Sequence, residues 1–158
     1  MRDFELIREA TEYAWRLVGT PYIWGGNDPM RGFDCSGFVI EVLKAVGRLP
    51  YQGDWIARDL YGIFPSRHRP ERGCLVFWGG SIDTINHVEF CLNEHISIGA
   101  SGGGSKILAL ADAVEHDAFI KPRPILRPDD RDRFYNDPFF VASINNGRYE
   151  PKKGEADV

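Results

Sequence analysis

The stretch RGFDCSGFVIEVLKAVG, Arg31 to Gly47, holds the strongest structural signal in this chain. Its apolar residues recur at helical spacing after Asp34 and form a broad apolar face, which predicts a helix buried at the centre of the domain. Asp34 and Cys35 open this helix and Gly47 ends it. A thiolate at a helix N-terminus is stabilised by unpaired N–H groups and by the positive end of the helix dipole. These local features leave two interpretations of Cys35, a nucleophile or a buried core cysteine.

The remaining pattern passes from helices to strands along the chain. Helical spacing predicts a first helix from about Phe4 to Val18, a short helix near residues 54–63 and a helical turn around 108–115. Alternating patterns predict four strands: CLVFWG (74–79), HVEFCL (87–92), HISIGA (95–100) and residues 119–123. Helices followed by a run of strands predict an α+β fold with an antiparallel sheet.

Length and composition predict one folded domain. The chain has 158 residues, of which 43% are hydrophobic and 13% aromatic, enough for a substantial core. We assign residues 1–126 to the domain that carries the site. Residues 127–158 are polar, charged and interrupted by Pro138 and Gly147, so we predict an irregular extension that packs on the surface of the same domain.

Several classes of protein are disfavoured by charge and by cysteine usage. The net charge is −4 and no arginine- or lysine-rich stripe occurs, so we predict no nucleic-acid binding. No apolar run has transmembrane length, which predicts no membrane insertion. The N-terminal stretch MRDFELIREATEYAWRLVG contains acidic residues and does not have the pattern of a signal peptide. The three cysteines lack CxxC spacing, so we predict neither a disulfide framework nor a metal site.

A cysteine nucleophile needs a base, and the sequence offers four histidines. His68 lies in a basic loop, His95 at a turn between strands and His116 near a helix end, which are ordinary surface positions. His87 instead opens the predicted strand HVEFCL, and a strand start at a sheet edge can aim a side chain at a neighbouring helix end. We therefore predict His87 as the base, because geometry rather than sequence distance decides such pairs.

Four stretches, TPYIWGG, FDCSGFV, GCLVFW and HVEF, together resemble the NlpC/P60 family of bacterial cell-wall peptidases. The resemblance covers most of residues 17–100, extends to about 124 and leaves out the segment from 127. It implies a papain-like fold in which a central cysteine-bearing helix packs on an antiparallel sheet that carries the histidine. It also implies hydrolysis of peptidoglycan stem peptides, typically between D-glutamate and a diamino acid, without a cofactor.

The resemblance assigns roles to individual positions. Cys35 matches the nucleophile and His87 matches the base. Asp34 and Ser36 match positions that hold the amino end of the peptide, and Tyr22 matches a tyrosine that borders the nucleophile.

The residue types at these positions are also compatible with purely structural roles. Asp34 can cap the helix through its carboxylate, and Ser36 suits the first helical turn. Tyr22 and Trp24 lie in a glycine-rich loop before the nucleophile, where they are either core aromatics or walls of a substrate cleft.

The sequence departs from the family at the residue that orients the catalytic imidazole. The family usually has a polar residue, often histidine, on the strand after the base, and an ungapped count places Gly99 there. We predict Ser101 as the substitute, because it shares the strand face of Gly99. Glu89 shares the face of His87 and ranks second, since a carboxylate beneath the central helix has a desolvation cost unless it is paired. A backbone carbonyl or a water molecule is the third option.

The leading functional prediction is a cysteine peptidase that acts on stem peptides at the bacterial cell wall. Because no signal peptide and no repeated wall-binding module is seen, we predict a phage lysin or a tail-associated hydrolase, released by a holin or carried by the virion, with phage tail or virion proteins as further partners. Two alternatives stay open. One is a thiol-dependent amidase or acyltransferase, and the other is a non-catalytic structural component of a phage particle with a decayed site.

Overall fold

The computed structural model describes residues 1–129 and 131–140. Within this part of the chain the helices are α1 (Phe4–Arg16), α2 (Cys35–Ala45), α3 (Ala57–Ile63) and α4 (Leu110–Glu115), with a 3-10 turn at Ile82–Thr84. The strands are β1 (Asn27–Asp28), β2 (Gly32–Phe33), β3 (Ser66–Arg67), β4 (Leu75–Gly79), β5 (Ile85–Cys91), β6 (Ile96–Ser101), β7 (Phe119–Pro124) and β8 (Asp132–Asn136).

Six strands form one sheet in the order β3-β8-β4-β5-β6-β7, and every neighbouring pair is antiparallel. The short strands β1 and β2 form a separate ribbon in the loop before α2. Helices precede most of the sheet in the chain, so the predicted α+β class is confirmed.

Helix α2 forms where the sequence predicts it and lies on one face of the sheet. The Asp34 carboxylate accepts a hydrogen bond from the N–H of Gly37 at 2.7 Å and so caps the helix. Gly47 follows the helix with φ +70°, a conformation that glycine adopts without strain. The apolar face of α2 packs in the main core with side chains of β4, β5 and β6: Phe38, Val39, Val42 and Leu43 against Phe77, Val88, Phe90 and Ile98.

The prediction that His87 opens its strand at a sheet edge is wrong. β5 begins two residues earlier, at Ile85, and runs in the interior of the sheet between β4 and β6. Ile85 is buried and pairs with Gly79 across an irregularity in the ladder, while His87 pairs with Trp78. The two residues before His87 do not form a strand pattern by themselves, because only Ile85 is buried while Asn86 is exposed.

The prediction of an irregular segment after residue 126 is also wrong for residues 132–136. They form β8, which is hydrogen-bonded between β3 and β4 inside the sheet. Phe134 packs in the main core, whereas its neighbour Tyr135 packs against a second apolar cluster on the opposite sheet face. Two charged residues open this strand, so its composition resembles a surface segment although the strand is central. The predicted extension continues to residue 158, and its residues 141–158 lie outside the described part.

The two faces of the sheet have different covers. Val88 and Phe90 point into the core beneath α2, so Glu89 between them points to the other face by strand alternation. That second face carries a small apolar cluster of five buried residues: Cys74, Val76, Trp78, Cys91 and Ile125. The connection from β7 to β8, which we call the β7–β8 link (residues 125–129 and 131), covers this side near the site.

In the described residues, no helix combines the length and apolar character that crossing a membrane requires.

Candidate active site

The site lies where the first turn of α2 meets β5, in an open cleft of about 710 Å³. α2 presents Cys35, a free and partly buried thiol, and β5 presents His87, whose side chain is 16% exposed. The two side chains interact, since Cys35 raises the pKa of the His87 imidazole. The predicted nucleophile and base are therefore brought together, and the other described histidines do not line this cleft.

The far side of the imidazole is held by a carboxylate. His87 Nε2 lies 2.9 Å from Oε1 of Glu89, which is fully buried. The second oxygen, Oε2, accepts hydrogen bonds from Ser97 Oγ at 2.6 Å and from Arg127 Nη2 at 2.8 Å. Both carboxylate oxygens are thus paired, as a buried charge requires.

These contacts shift the protonation of both groups. Burial by itself would lower the pKa of His87, but the interactions with Cys35 and with the Glu89 carboxylate raise the pKa to about 9. Burial would likewise raise the pKa of Glu89, but His87, Arg127 and Ser97 together lower it to about 2. At neutral pH the pair is therefore an imidazolium beside a carboxylate.

The prediction that ranked Ser101 ahead of Glu89 is wrong. The Ser101 hydroxyl accepts a short hydrogen bond from Arg123 Nη1, and the imidazole of His87 is hydrogen-bonded to Glu89. The lower rank of Glu89 assumes that its carboxylate lies beneath α2. It lies instead on the opposite sheet face, where Arg127 offsets the desolvation of its charge.

Gly99 contributes no side chain, and the space beside it is taken. A Cβ atom at this position would overlap Cγ of Glu89 and would lie 3.0 Å from its Cβ and its Cδ. The β5–β6 register, which pairs Phe90 with Ile98, also sets Gly99 opposite Glu89 when it is continued. The glutamate therefore fills the position that a residue 99 side chain would occupy.

The remaining predicted contacts also line the cleft. Asp34 caps α2 and accepts a hydrogen bond from Ser36 Oγ at 3.3 Å, so the predicted capping role is confirmed. Burial raises the pKa of Asp34, although its hydrogen bonds oppose this shift. Contact of Asp34 and Ser36 with a substrate stays a prediction.

The two aromatic residues have different positions. Tyr22 is 5% exposed, belongs to the main core and packs its ring against Gly103. Burial raises its pKa, and Cys35 and Asp34 add to the effect, which places this ring beside the nucleophile. Trp24 is 54% exposed at the rim of the cleft. Tyr22 is therefore both a core residue and a cleft wall, and Trp24 is a cleft wall only.

Sequence reasoning missed three arginines that line the cleft, Arg123, Arg127 and Arg131. Arg127 is committed to Glu89, and Arg131 pairs with Asp129 at 3.2 Å. In the described part of the chain, Arg123 has no acidic partner within ion-pair distance. The sequence feature that could have predicted an arginine here is Glu89, because an acidic residue inside a buried strand requires a cation nearby.

Within residues 1–129 and 131–140, no group of three or more histidine, cysteine and acidic side chains is arranged to hold a metal ion.

Comparison with known proteins identifies relatives. Residues 19–123 match the model of the NlpC/P60 family. The chain is 34% identical over 110 residues to the probable peptidoglycan endopeptidase LytE of Bacillus subtilis, covering 68% of this chain and 29% of LytE. It is 43% identical over 42 residues to a gamma-DL-glutamyl hydrolase of the same species, covering 27% of this chain and 9% of that protein. The chain spans less than half the length of these curated relatives.

A solved structure gives the same relationship. The NlpC/P60 domain of the peptidoglycan hydrolase SagA superposes with a TM-score of 0.60 at 27% identity, covering 83% of this chain and 97% of that domain. The antiparallel sheet, the cysteine-bearing helix and the matched residues agree with the predicted resemblance. The chain belongs to the NlpC/P60 family, whose members include peptidoglycan hydrolases.

Proposed function

We propose that this protein is a cysteine endopeptidase that cleaves peptidoglycan stem peptides between D-glutamate and the following diamino acid. The observation that carries the proposal is the interaction of the Cys35 thiol, at the start of α2, with the imidazole of His87 in one open cleft. A nucleophile and a base in contact are what acyl transfer through a thioester requires.

The chemistry follows from the two side chains. His87 takes the proton of Cys35, and the thiolate attacks the amide carbon of the substrate. Of the first N–H groups of α2, that of Asp34 is bonded to Gly26 and that of Gly37 to the Asp34 carboxylate, which leaves the N–H groups of Cys35 and Ser36 to bind the oxyanion.

Collapse of the tetrahedral intermediate breaks the C–N bond. The His87 imidazolium gives its proton to the leaving amine, and a thioester with Cys35 remains. Water, deprotonated by His87, then attacks the thioester and releases the free acid. The raised pKa of His87, about 9, keeps the imidazolium available as the acid at neutral pH.

The charges of the cleft support an acidic substrate. The chain as a whole has a net charge of −4, yet three arginines line this cleft. A γ-D-glutamyl bond leaves the α-carboxylate of the glutamate free, and the diamino acid carries a carboxylate of its own. Arg123, whose partner is the neutral Ser101, offers a guanidinium for such a group. The similarity to a gamma-DL-glutamyl hydrolase supports the same bond.

Acyl-chain chemistry is the less favoured alternative, because the arginines and Asp34 place charged groups along the cleft. The intact Cys35–His87 contact likewise argues against a decayed site. Association with a phage particle stays a prediction; the relatives named above include proteins of a bacterium.

The proposal is tested with two muropeptides that differ only in the D-glutamate α-carboxylate, which is free in one and amidated in the other. We expect the free acid to be cleaved at least about tenfold faster, and we expect Arg123→Gln to narrow that ratio. If the protein cleaves neither of the two peptides, the endopeptidase assignment is overturned. If both peptides are cleaved at equal rates, only the proposed recognition of the carboxylate by the arginines is overturned, and the endopeptidase assignment stands.

A further inference from the structure

We propose that Glu89 and Gly99 together replace the orienting residue that this family places after the base: Glu89 is a positioning residue that holds the imidazole of His87 from the same strand, and Arg127 holds Glu89. This inference rests on the proposed catalytic roles of Cys35 and His87. It concerns how the base is kept in place rather than which bond is cleaved.

The first step is the contact itself. His87 and Glu89 are two residues apart on β5 and so share one face of the strand. Oε1 of Glu89 is 2.9 Å from Nε2 of the imidazole. An N–H donated from Nε2 leaves Nδ1 to exchange a proton with the Cys35 thiol, which fixes both the tautomer and the ring orientation. A carboxylate performs the same task for the histidine of serine proteases.

The second step is the exchange of space between strands. The Glu89 side chain runs through the volume that any side chain at 99 would need, since a Cβ there would overlap Glu89 Cγ. A histidine at 99 and a glutamate at 89 therefore exclude one another in this backbone. The glycine is a requirement of the glutamate, and its presence does not indicate a decayed site.

The third step is the support of the buried charge. Arg127 donates from Nη2 to Glu89 Oε2 at 2.8 Å and from Nε to the Pro124 carbonyl at 3.0 Å. Its guanidinium also lies 4.3 Å from the ring centroid of Trp78, which itself packs 5.3 Å from the His87 ring. The residues matched to the family model end at 123, so this support comes from the β7–β8 link beyond them.

The groups that face the pair come from every element packed against it. On β6, Ser97 donates to Glu89, and Ser101 lies beside Arg123. On β4, Trp78 contributes an aromatic face. The β7–β8 link contributes Arg127, and α2 contributes Cys35. Two cations, His87 and Arg127, thus share one buried carboxylate.

The first test measures the native protein. The imidazole of His87 is followed by NMR through a pH titration, with the Cys35→Ser variant as a second sample that lacks the thiol. We expect the ring to stay protonated above pH 8 with Nε2–H in a hydrogen bond. Titration at the ordinary histidine range near 6.5 in both samples overturns the inference.

The second test uses the isosteric variant Glu89→Gln. We expect kcat for muropeptide cleavage to fall about tenfold or more, and the alkaline limb of the pH profile of kcat/KM to move down by at least about one unit, because the imidazolium loses its carboxylate. Iodoacetamide alkylation of Cys35 at pH 6.5 is expected to slow about tenfold. If Glu89 had only a structural role, Glu89→Gln would change the melting temperature but not the alkaline limb of the kcat/KM profile. An unchanged alkaline limb together with full kcat overturns the inference.

The alkylation readout separates this inference from the proposed function. Cys74 and Cys91 are buried, so the reagent reports on Cys35 in the folded protein. If the wild type cleaves no muropeptide, the proposed function fails. The alkylation rates of wild type and Glu89→Gln still decide whether Glu89 supports the thiolate–imidazolium pair.

The third test exchanges the two positions. We expect Gly99→His alone and Glu89→Ala alone each to lower kcat at least about tenfold, by steric conflict and by loss of the carboxylate respectively. The double variant removes the conflict and supplies a ring from β6, so we expect it to exceed both single variants. A fully active Gly99→His, or a double variant no better than Glu89→Ala, overturns the equivalence of the two positions.

Discussion

The two halves of the candidate site are built in different ways. The cysteine half is local: Asp34, Cys35 and Ser36 are consecutive, and the cap, the thiol and the oxyanion donors all belong to one helical turn. The histidine half is assembled from four separate segments: β5, β6, β4 and the β7–β8 link. The local half depends on helix formation alone, whereas the assembled half depends on sheet register and on a residue far along the chain. We therefore expect the two halves to respond differently to substitution.

The largest effect is expected in the local half. Cys35→Ala should lower muropeptide cleavage on the order of 10³-fold or more, because the other two cysteines, Cys74 and Cys91, do not line the cleft and cannot supply a thiol. The fold should persist, since the helix cap and apolar face are untouched. Steady-state rates together with a thermal melt check this prediction.

The matched control is Cys74→Ala, which removes a buried thiol outside the cleft. It should keep activity within about twofold while lowering stability slightly. Substantial cleavage by Cys35→Ala would show that the chemistry does not run through this thiol.

The next effect concerns the assembled half. Gly99→Ala places a methyl group against Cγ of Glu89, so we expect kcat to fall about tenfold as the carboxylate is pushed from His87. Gly62→Ala is the matched control, because a Cβ at Gly62 meets nothing within 4 Å. Equal activity of the two alanine variants would mean that the contact of Glu89 and Gly99 has no catalytic consequence.

The charged pair also predicts a pH window of stability. The pKa of Glu89 is lowered from 4.5 to about 2, so its contribution is present above about pH 4.5 and is lost as pH falls toward 2. The pKa of His87 is raised from 6.5 to about 9, so its contribution is full below about pH 6.5 and is lost as pH rises through 9.

Urea unfolding at a series of pH values measures this window. We expect the free energy of unfolding to fall between pH 6.5 and 9 in the wild type and to fall less in His87→Gln. Parallel curves for the two proteins across that range would contradict the assigned pair.

The smallest effect separates two serines of β6. Ser97 donates to Glu89, whereas Ser101 accepts from Arg123. We expect Ser97→Ala to lower kcat several-fold, because it removes one of the hydrogen bonds to the buried carboxylate. Ser101→Ala should leave kcat within about twofold of wild type. A larger loss of kcat in Ser101→Ala than in Ser97→Ala would indicate that Ser101, and not the Glu89 network, orients His87.

The same contrast explains how far sequence reasoning reached. The helix at Cys35 was predictable because its signals, a cap, a period and a terminal glycine, all lie within 17 consecutive letters of sequence. The pairing with His87 was predicted from its position in the strand pattern and, independently, from the family resemblance. The choice of Glu89 over Ser101 depended on which face of the sheet each side chain reaches and on what covers that face.

The residues that cover the Glu89 face of the sheet lie in the segment after residue 126, where the sequence pattern does not predict a strand. Arg127 and β8 have the composition of a surface tail, since charged residues dominate and the strand is short. Only the pairing of β8 with β4 shows that this segment completes the sheet and brings a cation to Glu89. A non-local contact of this kind leaves no periodic signal in a single sequence.

The most direct test of covalent catalysis by Cys35 is hydroxylamine trapping during muropeptide cleavage, with the products identified by mass spectrometry. Hydroxylamine attacks the thioester on Cys35 and releases the thiol. The product is the hydroxamate of the acyl fragment, which is the part of the peptide on the N-terminal side of the cleaved bond. We expect this hydroxamate to increase with hydroxylamine concentration in the wild type and to be absent with Cys35→Ala. Cleavage that yields only the free acid at every hydroxylamine concentration, and that persists in Cys35→Ala, would contradict a cysteine nucleophile.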